Sequence, residues 1–209
     1  MARVTPDTVT LDAKSAAEWL RAFAAQVEDR AADLTDLDRP IGDSDHGVNL
    51  QRGMRAVVAA LDEEAPSTPG AVLTKAGSTL VSTVGGASGP LFGTLLRRAG
   101  KSLGAATEVD QPALAAALRA GLEGVVSLGA AQVGDATLLD ALAPAVEALE
   151  AGRPVSVAAA AAAEGAASTE PLVARKGRAS YLGERGVGHR DPGAESIVLL
   201  FAALVRVSA

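Results

Sequence analysis

The sequence predicts an all-α protein, and three observations carry that reading. Hydrophobic residues make up 48% of the 209 positions but aromatics only 2%, so the core must be built from Ala, Leu and Val. Small side chains let helices approach closely, and Ala is the strongest helix former. Apolar residues recur at steps of three and four along most of the chain, the spacing that gives a helix one buried face. No stretch alternates cleanly with period two for more than a few residues, so no extended sheet is expected.

Taken in order, the first helix is marked by Ala16, Leu20, Phe23, Ala24 and Val27. A second clear set is Leu114, Leu118, Leu122 and Val125, with Asp110 placed to cap and Pro112 suited to a first turn. Leu138, Leu142, Val146 and Leu149 mark another, with a kink expected at Pro144. Gly152 stops it, and Pro154 opens the Ala-rich stretch to Ala167. Gly193 to Val207 is apolar nearly all round and is expected to cross the middle of the core. About eight helices are expected in total. No linker or fixed repeat divides the chain, so residues 1–209 read as one domain.

Charge and composition exclude several classes of function. A net charge of −6 argues against a general nucleic-acid binder, because phosphate backbones are held by Lys and Arg clusters. With no cysteine, disulfides, thiolate zinc sites and a Cys nucleophile are excluded. Met1 to Lys14 has no signal-peptide core, and the apolar run Ile197 to Val205 is far too short to cross a bilayer. A cytoplasmic protein with no membrane partner is expected.

Four segments break the helical rhythm: Asp36 to Asn49, Gly85 to Gly93, Gly129 to Asp140 and Arg175 to Gly193. Both histidines and the sole asparagine fall in them. In a bundle of antiparallel helices such loops can meet at one end and form a single site. At and just before the first segment stand Asp33, Asp36, Asp38, Asp43 and Asp45, five carboxylates in thirteen residues. Like charges this close repel unless they are solvated, protonated or neutralised by a cation, and hard oxygens select Mg²⁺ or Ca²⁺. An EF-hand starting at Asp43 fails, since Val48 and Met54 stand where Gly and Glu are required. From the residues alone, a Mg²⁺ site completed by phosphates and an acidic helix end followed by a turn both stay open.

The run Gly85 to Gly93 lets a backbone pass close to a ligand, yet it fits no familiar template. Pro90 breaks a nucleophile elbow, Leu95 breaks a Walker A loop ending at Lys101, and no βαβ pattern supports a dinucleotide fingerprint. A tight interhelical turn is the alternative. The segment Arg175 to Gly193 carries five Arg or Lys residues just before an apolar helix. Phosphate would be favoured at that helix start and on Arg178, although a solvated loop paired with nearby acids reads equally well.

Together these segments resemble a known family. Leu37 to Gly47, Val84 to Gly93, Arg175 to Arg185 and His189 to Ala194 are similar, in the right order, to the dihydroxyacetone kinase L subunit. That resemblance implies an antiparallel eight-helix barrel with ADP or ATP at one end. It implies two Mg²⁺ ions held by Asp38, Asp43 and Asp45. It further implies nucleotide contacts from His46, Gly47, Val48, Asn49, Ala87 and Ser88. Gly129 and Leu138 would line the adenine or ribose side, and Arg178, Asp191, Pro192 and Gly193 would close the site. Thr137 and Asp140 lie nearby without an assigned role.

The resemblance also implies a phosphotransferase that delivers a phosphoryl group to dihydroxyacetone on a separate K subunit. ADP would stay bound and be recharged by a phosphohistidine on an M subunit. The end of the sequence at Ala209 favours this version over an ATP-exchanging kinase fused to its substrate domain. No covalent nucleophile is expected on this chain. Three other readings are a Mg-dependent phosphohydrolase, a non-catalytic nucleotide-loaded partner of a transcription regulator, and an inert helical bundle.

Overall fold

In the computed structural model, which describes residues 9–208, helices dominate as the periodicity predicts. The order among the described residues is β1 (Thr10–Asp12), α1 (Ala13–Asp38), α2 (His46–Glu63), α3 (Pro69–Thr83), α4 (Ser88–Leu103), β2 (Glu108–Asp110), α5 (Gln111–Gly129), α6 (Leu138–Glu150), α7 (Val155–Ser168), a 3₁₀ segment (Arg178–Gly186) and α8 (Pro192–Val207). Of the N-terminal stretch read for a leader, residues 1–8 lie outside the described range. No described helix is long and apolar enough to cross a membrane.

Each α-helix packs on the next in sequence, and α8 closes back onto α1. The connections alternate between the two ends, so neighbours in the ring run antiparallel. Four of the five aromatics, Trp19, Phe23, Phe92 and Phe201, are buried in its interior, whereas Tyr181 is exposed. Trp19 donates its indole N–H to the Leu200 carbonyl at 2.9 Å, tying α1 to α8. Phe23 stacks on Phe92 with ring centroids 6.3 Å apart, linking α1 to α4. As expected, α8 is buried along most of its length.

The seam between α3 and α4 depends on glycine. A Cβ on Gly77 would lie 2.6 Å from the Gly93 carbonyl, and one on Gly93 would lie 2.7 Å from that of Gly77. Gly70 and Gly100 form a second such pair one heptad along. Two backbones therefore touch where side chains would hold them apart.

The short ribbon β1–β2 was not expected. Leu11 pairs with Val109, both buried, and each strand ends on an aspartate that caps the following helix. Asp12 accepts the Ser15 N–H at 2.7 Å, and Asp110 accepts the Ala113 N–H at 2.9 Å. The ribbon thus pins the starts of α1 and α5 together. Pro144 lies inside α6 without dividing it. It leaves the Asp140 carbonyl without its usual helical donor. Gly165 of α7 packs there, where a Cβ would sit 2.1 Å from that oxygen.

Candidate functional site

The connections after α1, α3, α5 and α7 all emerge at the same end of the ring. They enclose a cleft of about 430 Å³, within the range of small-molecule sites. The convergence expected of the four irregular segments is present.

One wall is acidic. Asp38, the last residue of α1, is buried, and its Oδ2 accepts the N–H of Asp45 at 2.9 Å and of His46 at 3.3 Å. Residues 39–45 wrap around it, with Gly42 N–H bonded to the Asp38 carbonyl at 2.6 Å. A Cβ on Gly42 would lie 1.9 Å from Asp38 Oδ1, so only glycine admits the carboxylate in this position. Asp45 begins α2 as its N-cap residue but makes no side-chain cap bond. Asp38 instead takes the N–H groups of Asp45 and His46, the first two at the start of α2.

Ser44, at φ 61°, turns the chain between Asp43 and Asp45. One carboxylate oxygen from each of Asp38, Asp43 and Asp45 then lies within 4.8 Å of the others. Three hard oxygen donors at this spacing fit a Mg²⁺ or Ca²⁺ ion. The Arg178 guanidinium reaches across from the 3₁₀ segment and pairs with Asp43 at 2.8 Å.

His46 is buried beside this wall. Its Nε2 lies 2.8 Å from Ser196 Oγ, and its Nδ1 lies 3.0 Å from Ser88 Oγ. Burial pushes the imidazole down to about 4 against the opposing pull of Asp38, so the ring is neutral at pH 7. Asp191 caps α8 through the Ala194 N–H at 2.7 Å and donates its own N–H to Thr169 Oγ1 at 3.0 Å. Some of its surface faces the cleft, yet the surrounding protein pushes its carboxyl up to about 7. The Ala194 N–H opposes that shift, while Asp140 and Asp38 add to it.

The opposite wall is apolar, formed by Leu91, Val125, Leu128, Leu138 and Leu139. Its edge is the loop 130–137, held by Asp140. Asp140 Oδ1 accepts the Gly134 N–H at 2.6 Å, and Oδ2 accepts the Thr137 N–H at 2.8 Å. Thr137 and Asp140 form a capping box for α6, a structural role that their sequence positions alone did not reveal.

Asp38, Asp43, Asp45, His46, Ala87, Ser88, Gly129, Leu138, Arg178, Asp191, Pro192 and Gly193 all line the cleft. The three residues after His46 do not. Gly47 packs on α1, where a Cβ would lie 2.0 Å from the Ala31 carbonyl. Val48 faces solvent at 52% exposure, and buried Asn49 accepts from Arg52 Nη2 at 2.9 Å. Leu91, Val125, Leu128 and Leu139 were not expected in the cleft, and Val125 was read only as part of a core face, because cleft-lining apolar residues on a helix share the period of core residues. Lys176 also lines the cleft, two positions before Arg178.

Residues 40–206 match the model of the DAK2 domain family. The chain is 41% identical to the Listeria innocua PEP-dependent dihydroxyacetone kinase 1 ADP-binding subunit DhaL, over 95% of this chain and 98% of that one. It is 47% identical to the Escherichia coli DhaL subunit, over 82% of this chain and 85% of the relative. In fold it is similar to the C. freundii dihydroxyacetone kinase solved in complex with AMP-PNP and Mg²⁺, with a TM-score of 0.75 and 26% identity. That match covers 99% of this chain but only 36% of the larger one. Motifs, helical ring and relatives agree, and the chain belongs to the DAK2 domain family, together with the DhaL subunits of dihydroxyacetone kinases.

Proposed function

We propose that this chain, read as one domain over residues 1–209, is the nucleotide-holding subunit of a cytoplasmic dihydroxyacetone kinase. It binds ADP or ATP with two Mg²⁺ ions on Asp38, Asp43 and Asp45. The observation that carries this reading is the gathering of those three carboxylates within 4.8 Å, with Asp45 released from capping duty. The names of the relatives support ADP as the ligand, and the AMP-PNP and Mg²⁺ of the C. freundii structure support the pairing of nucleotide with metal.

Bound Mg²⁺ supplies charge neutralisation between the carboxylates and the phosphate oxygens. The chain itself contributes position. The start of α4, whose N-cap residue Ala87 offers no side-chain cap, presents open N–H groups to phosphate. Arg178 supplies a mobile positive charge that leaves Asp43 for a phosphate oxygen. The wall of Leu91, Leu128, Leu138 and Leu139 receives the base, and Gly129, Asp191, Pro192 and Gly193 close around the nucleotide. Gly47, Val48 and Asn49 act one layer back by placing His46.

The phosphoryl acceptor is dihydroxyacetone on a K subunit, and ADP is recharged by a phosphohistidine M subunit. Phosphoryl transfer asks a protein chiefly for positioning and charge neutralisation, so no covalent intermediate forms on this chain. Purified chain supplied with K and M partners, phosphoenolpyruvate-derived phosphoryl groups and dihydroxyacetone tests the reading. Transfer should fall at least about 100-fold in Asp43→Ala and Asp45→Ala, the loss typical of removing charge stabilisation. Undiminished transfer would remove the assignment, and steady phosphate release without partners would favour a phosphohydrolase.

A further inference from the structure

We propose that Ser196 is a positioning residue that fixes His46 as its Nε2–H tautomer and so turns the lone pairs of Ser88 toward the cleft. Ser196 is fully buried on α8 and outside the cleft lining, yet it contacts the one histidine that reaches the cleft.

The assignment follows from counting protons along a chain of hydroxyls. Ser196 Oγ lies 2.9 Å from the Pro192 carbonyl oxygen. A carbonyl only accepts, so both contacts of Ser196 are made together only when its single proton goes there. At its 2.8 Å contact with His46 Nε2, Ser196 must therefore accept, and Nε2 must carry the hydrogen. A neutral imidazole has one N–H, which leaves Nδ1 as an acceptor. Ser88 Oγ, 3.0 Å from Nδ1, is then the donor. The chain runs in one direction, from Ser88 to His46 to Ser196 to the Pro192 carbonyl, and it links α4, α2 and α8.

Among the described residues the ring's hydrogen-bond partners are the two serine hydroxyls, and no carboxylate bonds to it to call for a second proton. With its proton tied inward, Ser88 can only accept from whatever fills the cleft. It suits the hydrogen of a metal-bound water or of a sugar hydroxyl, and it cannot donate to a phosphate oxygen. This consequence for the ligand rests on the nucleotide reading above, whereas the tautomer does not.

The test is nitrogen NMR of ¹⁵N-histidine-labelled protein without nucleotide. The chain has two histidines, and His189→Gln assigns the signals, since exposed His189 lies outside the cleft lining. Wild type should show His46 as Nε2–H alone. Ser88→Ala should leave that tautomer in place, because Ser196 dictates it. Ser196→Ala should move His46 to Nδ1–H, now donating to Ser88. Mg-ADP affinity of Ser196→Ala should fall roughly fivefold, the effect of one misdirected hydrogen bond. A wild-type Nδ1–H or doubly protonated ring, a switch in Ser88→Ala, or an unchanged ring in Ser196→Ala would overturn the proposal. Should Ser196→Ala fail to fold, the first two spectra still decide. Failure of wild type to bind Mg-ADP would instead count against the nucleotide reading and leave the tautomer standing.

Discussion

The carboxylate of Asp38 lies 2.9 Å from the backbone nitrogen of Asp45, so the last residue of α1 caps the helix that Asp45 begins. The exchange separates two jobs that one aspartate would otherwise combine. Asp38 holds the scaffold while also facing the cleft. Asp45 makes no cap bond and keeps its carboxylate for a ligand.

Different stability costs follow for the two. Without divalent ions, Asp38→Ala should lose about 1–2 kcal/mol, the usual worth of a helix cap. Asp45→Ala should change stability by no more than about 0.5 kcal/mol, since it removes only charge repulsion. Urea denaturation of both variants in EDTA checks the contrast.

Arg178 should behave in the opposite way to Asp38. Its pair with Asp43 is largely exposed, so Arg178→Ala should shift folding stability by less than about 0.5 kcal/mol. Titration calorimetry should nevertheless show Mg-ADP binding weakened about tenfold, as expected on losing a charge-assisted phosphate contact.

Acid titration should expose two opposing groups. His46 is depressed from 6.5 to about 4, so its contribution to stability is present above pH 6.5 and is lost as pH falls toward 4. Asp191 is raised from 3.8 to about 7, so its contribution is full below pH 3.8 and is lost as pH rises through 7. In wild type the two trends offset each other across this window. Asp191→Asn keeps an acceptor for the α8 cap but removes one trend. Its stability should therefore fall more steeply on acidification than that of wild type, measured by denaturation without nucleotide across pH 4 to 8.

The glycine seam gives a test of the ring itself. Gly77→Ala forces a Cβ against the Gly93 carbonyl and should cost about 1–3 kcal/mol by overpacking. Gly85→Ala, whose Cβ would find only Arg52 Nη2 at 3.8 Å, should stay within about 0.5 kcal/mol. Thermal melts of the pair read the difference.

Much of this architecture is written in local pattern. The three-and-four spacing of Leu114 to Val125, the cap at Asp110 and the stop at Gly152 depend on neighbours a few residues away, and each lies where the pattern places it. The polar cleft residues were legible because histidine, glycine clusters and aspartate runs are out of place in apolar helices. What stayed hidden depends on partners distant in sequence. The Leu11–Val109 pairing spans three residues per strand, too few for alternation to register. The matching of Gly77 with Gly93 needs the α3–α4 pairing to be known first, although the repeat of glycines seven apart within each helix was a usable hint. Gly47 looks like a loop glycine until Ala31 appears beside it.

Isothermal titration of ADP into wild-type protein, with Mg²⁺ present and then with EDTA, bears most directly on the claim that three aspartates hold a nucleotide through metal. Binding should appear with Mg²⁺, vanish with EDTA, and be lost in Asp45→Ala even though that variant remains folded. ADP binding that persists unchanged in EDTA or in Asp45→Ala, or that never appears with Mg²⁺, would contradict the account.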